Sequence, residues 1–126
     1  MDHLVQSFSL AELKTALWSM NSYKSPGPDD IQAHFYKYGW NTVSSSLLQF
    51  VNSILHNPEQ LMEINQTFLC PIPKKECIQY VEDFHPISLC NTPYKMISKL
   101  VVNRIKPFLG QCIGPCQSSF VPGRSI

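Results

Sequence analysis

Apolar residues at helical spacing begin close to the N-terminus and predict a helix over about residues 10–20. Its inward positions are Leu10, Leu13, Leu17 and Met20. Ser9 and Glu12 have the spacing of a capping box, in which each residue satisfies a backbone amide of the other. Phe8 stands before this cap and is placed for a hydrophobic staple with Leu13. The start of this helix is therefore well defined by local chemistry.

Proline and glycine interrupt the helical pattern after this first helix. Pro26-Gly27-Pro28 cannot continue a helical hydrogen-bond ladder, and Asp29 or Asp30 is a natural N-cap for the next helix. That short helix is predicted over residues 31–39. Its inward positions are predicted to be Phe35 and Tyr38.

A longer helix is predicted over about residues 42–56, followed by a weaker signal for a helical turn near residues 59–63. The apolar face of the longer helix consists of Val43, Leu47, Val51, Ile54 and Leu55. Asn57-Pro58 ends this helix, because a residue before proline avoids the helical conformation.

Two short strands are predicted in the second half of the chain. Thr67–Ile72 is the better candidate, and Pro71 and Pro73 indicate a strand at a sheet edge. Residues 75–84 have the polarity of a hairpin or loop, and Pro86–Leu89 form a second short strand or an extended approach. The predicted fold class is α+β, mostly helical, with a small antiparallel β element.

A basic amphipathic helix follows the second strand. Asn91 or Thr92 caps it, and Pro93 occupies its first turn, where a missing amide donor costs little. Its predicted apolar face is Tyr94, Ile97, Val101, Ile105 and Phe108. Its basic positions are Lys95, Lys99, Arg104 and Lys106. Pro107 predicts a kink or an early end.

Charge is distributed unevenly along the chain. The 126 residues suggest one domain or a piece of a larger one, and 44% hydrophobic with 15% charged residues is typical of a packed globule. The net charge of +1 divides into −3 for residues 1–69 and +4 for residues 70–126. The basic half is the better candidate for binding nucleic acid, although a solvated basic helix has the same charge pattern.

Other classes of site and location find little support in the sequence. No apolar run approaches the length of a membrane span, and the N-terminus lacks a secretory signal, so we expect an intracellular protein, nuclear or cytoplasmic and not secreted. The five cysteines are better explained as reduced thiols than as disulfides. Cys112 and Cys116 alone make a weak zinc pattern, and no phosphate-binding loop or dinucleotide fingerprint indicates a small-molecule cofactor.

Several short motifs occur in a fixed order along most of the chain. They are Lys24-Ser25-Pro26-Gly27-Pro28-Asp29, Phe35-Tyr36 with Trp40, Asn65-Gln66-Thr67 with Ile72-Pro73-Lys74, Asp83–Asn91 with Tyr94-Lys95, and Gln117–Ile126. Each motif is a weak signal, but their ordered sum resembles the reverse transcriptases of non-LTR (LINE-type) retrotransposons, especially those of plants. The resemblance implies the fingers and the start of the palm of a right-hand polymerase. Residues 1–64 would be a helical region preceding the fingers, and residues 65–126 a truncated fingers and early palm segment.

The resemblance also implies sites for a nucleotide and for nucleic acid. Lys74 and His85, which stands in the basic position of a Phe-Arg-Pro-Ile motif, would lie near the triphosphate of the incoming nucleotide. Gly123 and Arg124 would lie near the path of template and primer, where a guanidinium suits phosphate contact. The basic helix would add the nucleic-acid contacts Lys95, Lys99 and Arg104.

Two residues depart from the family pattern. The family usually has Arg at the position of His85, and a neutral imidazole cannot offer a bidentate fork to phosphates. The family usually has Gly at the position of Asp30. If the backbone needs a positive φ there, Asp tolerates it better than most residues but less well than Gly.

The catalytic aspartates that the resemblance implies lie beyond Ile126, so no catalytic or metal-binding residue is assigned in this chain. Mg²⁺ is implied only for the complete family enzyme, with an RNA template and a DNA primer as partners. We therefore predict a fragment of an RNA-directed DNA polymerase that does not catalyse alone. The alternatives are a non-enzymatic nucleic-acid-binding module and an inactive transposon remnant. Apolar surface that a complete enzyme would cover is expected to be exposed, with marginal stability as the result.

Overall fold

The structure, a computed structural model, describes residues 4–114. In chain order the helices of this part are α1 (Leu10–Trp18), α2 (Ala33–Tyr38), α3 (Trp40–His56), α4 (Gln60–Ile64), α5 (Thr92–Ile105) and α6 (Leu109–Cys112). Strands β1 (Thr67–Pro73) and β2 (Phe84–Cys90) lie between α4 and α5 and pair in antiparallel orientation. The predicted α+β class, mostly helical with a small antiparallel element, is confirmed.

The capping box at the start of α1 is present as predicted. The Ser9 amide donates to Glu12 Oε2 at 2.9 Å, and the Glu12 amide donates to Ser9 Oγ at 3.3 Å. Phe8 and Leu13, the expected staple, are both buried. The helix ends at Trp18, two residues before the predicted end.

Helix α2 is shorter than predicted and presents a different face to the core. Gln32 is its N-cap, and no side chain caps the helix, because the Asp29 carboxylate accepts the amide of Ile31 within the preceding loop instead. The prediction that Phe35 and Tyr38 point inward is wrong, since their side chains are 55% and 88% exposed. The six-residue helix packs through the small Ala33, which turns those two rings outward.

Helix α3 starts at Trp40, two residues before the predicted start, and ends at His56 as predicted. Its buried positions are Leu47, Val51 and Ile54, all on the predicted face. The Trp40 ring packs edge-on against Trp18 of α1 with centroids 5.4 Å apart. The weak signal for a turn after this helix corresponds to α4.

One hydrophobic core joins α1, α3 and α5. Its most deeply buried apolar side chains are Leu13, Leu17, Val51, Met96 and Leu100. Because these residues come from both sides of position 64, the predicted regions 1–64 and 65–126 share a single core. Their assignment to polymerase subdomains stays a prediction.

The buried face of α5 differs in part from the predicted one. Ile97 is buried as predicted, but Val101, Ile105 and Phe108 are about two-fifths exposed (39%, 41% and 41%), so the prediction is wrong for these three. The buried positions are Thr92, Met96, Ile97, Leu100 and Arg104. Leu100 and Arg104 turn toward α1, which rotates the last three apolar residues outward. The α-helix ends at Ile105 in a 3-10 turn around Pro107, which confirms the early end.

The two strands form a hairpin whose side chains are largely exposed. The register pairs Thr67 with Cys90 and Pro73 with Phe84, and Pro71 lies opposite Pro86 in the middle. All seven residues of β1 are exposed, among them Phe68 at 58% and Leu69 at 68%. Apolar side chains are therefore exposed as expected, and their cover by a complete enzyme stays a prediction. None of the helices within residues 4–114 is long and apolar enough to cross a membrane.

Candidate nucleic-acid interface

The loop around the Pro-Gly-Pro motif, here called the Pro-Gly loop (residues 24–31), is docked on the start of α5. The Asp29 amide donates to Asn91 Oδ1 at 3.0 Å, and the Thr92 hydroxyl donates to the Ile31 carbonyl at 2.7 Å. Lys95 Nζ reaches the Ser25 carbonyl at 3.2 Å. Two of the motifs that carry the family resemblance, more than sixty residues apart in sequence, are therefore in direct contact.

Gly27 makes this docking possible. A Cβ atom at this position would collide with the backbone of Cys90 and Asn91 and with the Asn91 side chain. Since the obstruction is mostly backbone at the junction of β2 and α5, it cannot move aside as the end of a flexible side chain can. Only glycine allows the loop to lie this close.

Asp30 has a left-handed backbone, with φ at 57°. This is the position at which the resemblance implies glycine. The sequence left open whether the backbone needs a positive φ there, and the structure shows that it has one. An L-residue with a side chain is strained in this conformation, although aspartate is among those that tolerate it best.

Lys74 and His85 lie at the loop end of the hairpin. The Lys74 amide donates to the Asp83 carbonyl at 2.8 Å, which extends the ladder by one pair beyond Pro73 opposite Phe84. His85 is paired with Ile72, so the alternation of side chains places His85 and Lys74 on the same face of the hairpin. Both residues are exposed. The structure thus brings the two predicted nucleotide contacts together, and their role stays a prediction.

An ion pair that the sequence did not reveal fixes the hairpin loop beside them. Lys75 Nζ lies 2.7 Å from Asp83 Oδ1, and the amides of Gln79 and Tyr80 donate to Asp83 Oδ2. The hydrogen bond from Lys75 and that from Gln79 hold the pKa of the Asp83 carboxyl below its usual range. Asp83 therefore stays charged and partly offsets the positive charge at this end of the hairpin.

Arg104, a predicted nucleic-acid contact, lies inside the protein. Its side chain is 4% exposed, and its guanidinium binds Glu12 through two bonds, Nε to Oε1 at 2.8 Å and Nη2 to Oε2 at 3.1 Å. The same group donates to the carbonyls of Gln6 and Ser7 and lies over the ring of Phe8. With its donors used in this way, Arg104 joins α5 to the start of α1 and is not offered to a ligand.

The carboxylate that receives Arg104 has a strongly altered pKa. The hydrogen bond from Arg104 is the largest cause, and bonds from Ser9 add to it, so that the pKa of Glu12 falls from 4.5 to about 2. Glu12 thus serves both the capping box and the buried arginine. No local pattern joins the two residues, because they are 92 positions apart.

Lys95 and Lys99, the other predicted contacts on α5, line a cavity of about 340 Å³ together with Lys24. Ala33 and Thr92 form part of its wall. Sequence reasoning did not single out Lys24, although its place at the head of the Pro-Gly-Pro motif is the signal that could have identified it. Folding of the Pro-Gly loop onto α5 brings the three lysines to the wall of one cavity.

The remaining predicted sites are only partly covered. Gly123, Arg124 and Cys116 fall outside residues 4–114, so the predicted phosphate contacts and the zinc pair cannot be placed. Cys70, Cys77, Cys90 and Cys112 are free thiols. Within the described residues no three histidine, cysteine, aspartate or glutamate side chains are grouped to hold a metal ion. These residues do not fit a magnesium site, and no step is assigned to Mg²⁺ here.

Comparison with known proteins gives one informative relationship. No protein-family model matches the chain. Over 125 residues, however, the chain is 31% identical to the "Transposon TX1 uncharacterized 149 kDa protein" of Xenopus laevis. The chain resembles a transposon protein. The alignment covers 99% of the chain but 10% of that relative, so the chain spans about a tenth of the transposon protein's length. This similarity supports an origin of the chain in a transposon.

Proposed function

We propose that the chain is the fingers and early palm segment of a LINE-type reverse transcriptase, and that it binds nucleotide and nucleic acid without turnover of its own. The observation that carries this proposal is the contact between the Pro-Gly loop and the start of α5. The similarity to the transposon protein of Xenopus laevis supports the same origin over nearly the whole chain. Because the chain spans a tenth of that relative, polymerisation would belong to the longer protein.

In this proposal the hairpin contributes the nucleotide contacts. Lys74 and His85 share one exposed face at its loop end, where an ammonium and an imidazole would meet the triphosphate. Cations at this position would stabilise the charge that develops on a leaving pyrophosphate. The Lys74 ammonium also donates to the Glu82 carbonyl at 2.9 Å, which orients it along the loop.

A second candidate function is a non-enzymatic nucleic-acid-binding module. The observation that favours it is the cavity lined by Lys24, Lys95 and Lys99, which lies away from the hairpin loop. Three cations at one cavity suit a phosphate backbone regardless of any polymerase chemistry.

The test is binding of a labelled RNA–DNA primer-template and, separately, of a labelled deoxynucleoside triphosphate to the 126-residue chain, followed by fluorescence anisotropy across a series of salt concentrations. We expect affinity to fall as salt rises, with a slope that reports the number of phosphates contacted. Lys74→Ala should weaken binding of the nucleotide, because it removes a cation from the proposed triphosphate site, and should change primer-template binding little. Lys106→Ala, at an exposed lysine near the other end of α5, is the charge-matched control and should change little.

Equal weakening by the two variants would contradict the assignment of Lys74, because only bulk charge would then matter. Binding no better than that of a neutral control protein at low salt would sink both candidate functions and leave the inactive remnant. Reading the coding sequence beyond Ile126 for an in-frame aspartate strand and a Tyr/Phe-x-Asp-Asp motif separates the polymerase segment from the binding module.

A further inference from the structure

Three aromatic rings form a ladder on the outer side of α2. The rings of Tyr23 and His34 are stacked, with centroids 4.9 Å apart and an angle of 27°. His34 and Tyr38 follow at 6.1 Å and 34°. Tyr23 and Tyr38 are 69% and 88% exposed, so the two ends of the ladder carry large ring faces in water. Burial of these rings in the core does not explain their arrangement.

An open cavity of about 630 Å³ runs beside this ladder. His34, Phe35 and Tyr38 line one side of it, and Asp30 and Gln32 contribute polar groups. The cavity with the three lysines lies on the other side of the start of α2, where Ala33 forms its wall. Tyr23 and Lys24 are neighbours in the chain and connect the two. The rings and the lysines therefore lie next to each other, with the rings at one end of this surface and the lysines at the other.

We propose that this surface, here called the aromatic–lysine strip (Tyr23, Lys24, His34, Tyr38, Lys95 and Lys99), binds single-stranded nucleic acid. Exposed rings accept unpaired bases by stacking, and flanking cations accept the phosphates between them. The combination suits a single strand better than a duplex, because duplex bases have no free face to stack on a protein ring.

Charge is distributed unevenly along the strip. Lys24 and Lys99 have no carboxylate partner within the described residues, and Lys95 uses one of its three donors on the Ser25 carbonyl. Asp30 is at the aromatic end, where its carboxylate repels phosphate but can accept a hydrogen bond from the amino group of a base. A bound strand would thus stack bases on the rings and place the phosphates of its adjoining nucleotides at the lysines.

This inference deepens the nucleic-acid binding proposed above, but it rests on residues other than the hairpin contacts. The strip uses the Pro-Gly loop, α2 and the first half of α5, whereas Lys74 and His85 lie on the hairpin. The two ideas can therefore fail separately.

The test is fluorescence anisotropy of the 126-residue chain with single-stranded RNA and DNA of about 12 nucleotides, within the usual range of such sites. Tyr38→Ala should weaken binding about tenfold through the loss of one stacked base, whereas Tyr38→Phe should stay within about twofold. Tyr80→Ala, at a tyrosine that is 66% exposed on the hairpin loop, is the matched aromatic control and should change little. Circular dichroism should show an unchanged fold, because the Tyr38 side chain makes little contact with the core.

The lysine end is tested through salt dependence. Lys99→Ala should lower the salt slope by about 0.7, the value for one phosphate of a single strand, and Lys106→Ala serves again as control. An oligonucleotide with abasic positions should bind the unaltered chain about tenfold more weakly while keeping its salt slope. A preference for RNA over DNA would identify a contact with the 2′-hydroxyl, and equal affinity would show that the sugar is not recognised.

Equal losses of affinity in Tyr38→Ala and Tyr80→Ala would overturn the proposal that the strip binds a single strand. Equal affinity for the abasic and the unmodified strand would overturn it as well. If Lys74→Ala weakened nucleotide binding while the strip variants changed nothing, the proposed function would stand and this inference would fail. If the strip variants weakened single-strand binding while Lys74→Ala left nucleotide binding unaffected, the reverse would hold.

Discussion

The helical body and the β-hairpin of this chain are stabilised in different ways. In the body, α1, α3 and α5 bury Leu13, Leu17 and Leu100 almost completely. In the hairpin, every residue of β1 is exposed, and the two strands are joined mainly by their own ladder. A two-stranded hairpin alone is marginal in water, since it lacks a buried face.

In the proposed function, the part of the chain that supplies stability differs from the part that binds ligands. The part that folds around a core contains the buried pair of Arg104 and Glu12, whereas the exposed hairpin carries Lys74 and His85. Elements that bind ligands are commonly drawn from the less stable parts of a protein. The Pro-Gly loop lies between the two, because Gly27 contacts the junction of β2 and α5.

The largest expected effect is on the body. Glu12→Gln leaves the Arg104 guanidinium buried without a counter-charge, so the free energy of unfolding should fall by about 2–3 kcal/mol, and an unfolded variant would be the extreme form of this result. Urea denaturation followed by circular dichroism measures it. Glu63→Gln, at an exposed glutamate of α4, is the matched control and should stay within about 0.5 kcal/mol. Similar midpoints for the two variants would show that the buried pair does not hold the body together.

The same pair predicts how stability depends on pH. The pKa of Glu12 is about 2 in the folded chain against an ordinary 4.5, so the folded state favours the charged carboxylate. The stabilisation is present above pH 4.5 and is lost as pH falls toward 2. It amounts to at most about 3 kcal/mol, given the shift and the partial exposure of the side chain. The unfolding free energy of Glu12→Gln should lack this acid dependence, and identical pH profiles for the variant and the parent chain would contradict the assignment.

A single added methyl group at the junction between the helical body and the hairpin should destabilise the chain. Gly27→Ala places a Cβ against the backbone of Cys90 and Asn91 and should cost about 1–3 kcal/mol by forcing the Pro-Gly loop away from α5. Gly110→Ala is the matched control, since a Cβ there meets no atom within 4 Å. Thermal melts of both variants measure the difference. Equal melting temperatures would mean that the loop is not docked as described.

The smallest expected effect is a gain. Asp30→Gly relieves a left-handed backbone and should stabilise the chain by about 0.5–1 kcal/mol, less the entropy that glycine costs. Asp29→Gly, one residue earlier, should instead destabilise it, because it removes the carboxylate that accepts the Ile31 amide. A loss of stability with Asp30→Gly would show that its side chain does more than tolerate the turn.

The features that the sequence predicted correctly differ from those it missed in how far apart the interacting residues lie along the chain. The capping box, the end of α3, the paired strands and the break at Pro107 depend on neighbours in sequence, and each was predicted. The position of Arg104 depends on Glu12, 92 positions away, and a basic residue on an amphipathic helix gave no sign of burial. The prediction that Phe35 and Tyr38 point inward was wrong for a related reason. Helix α2 has six residues, which are too few for the helical period to show which face is buried.

Hydrogen exchange of the free chain measures the contrast between body and hairpin most directly. We predict that the amides of Leu17 and Leu100 exchange at least about 100-fold more slowly than those of Phe68 and Ile87, which belong to hydrogen-bonded pairs of the hairpin, because the body opens only on global unfolding and the hairpin opens locally. Equal protection of the four amides would contradict the account, since the hairpin would then belong to the same cooperative unit as the core.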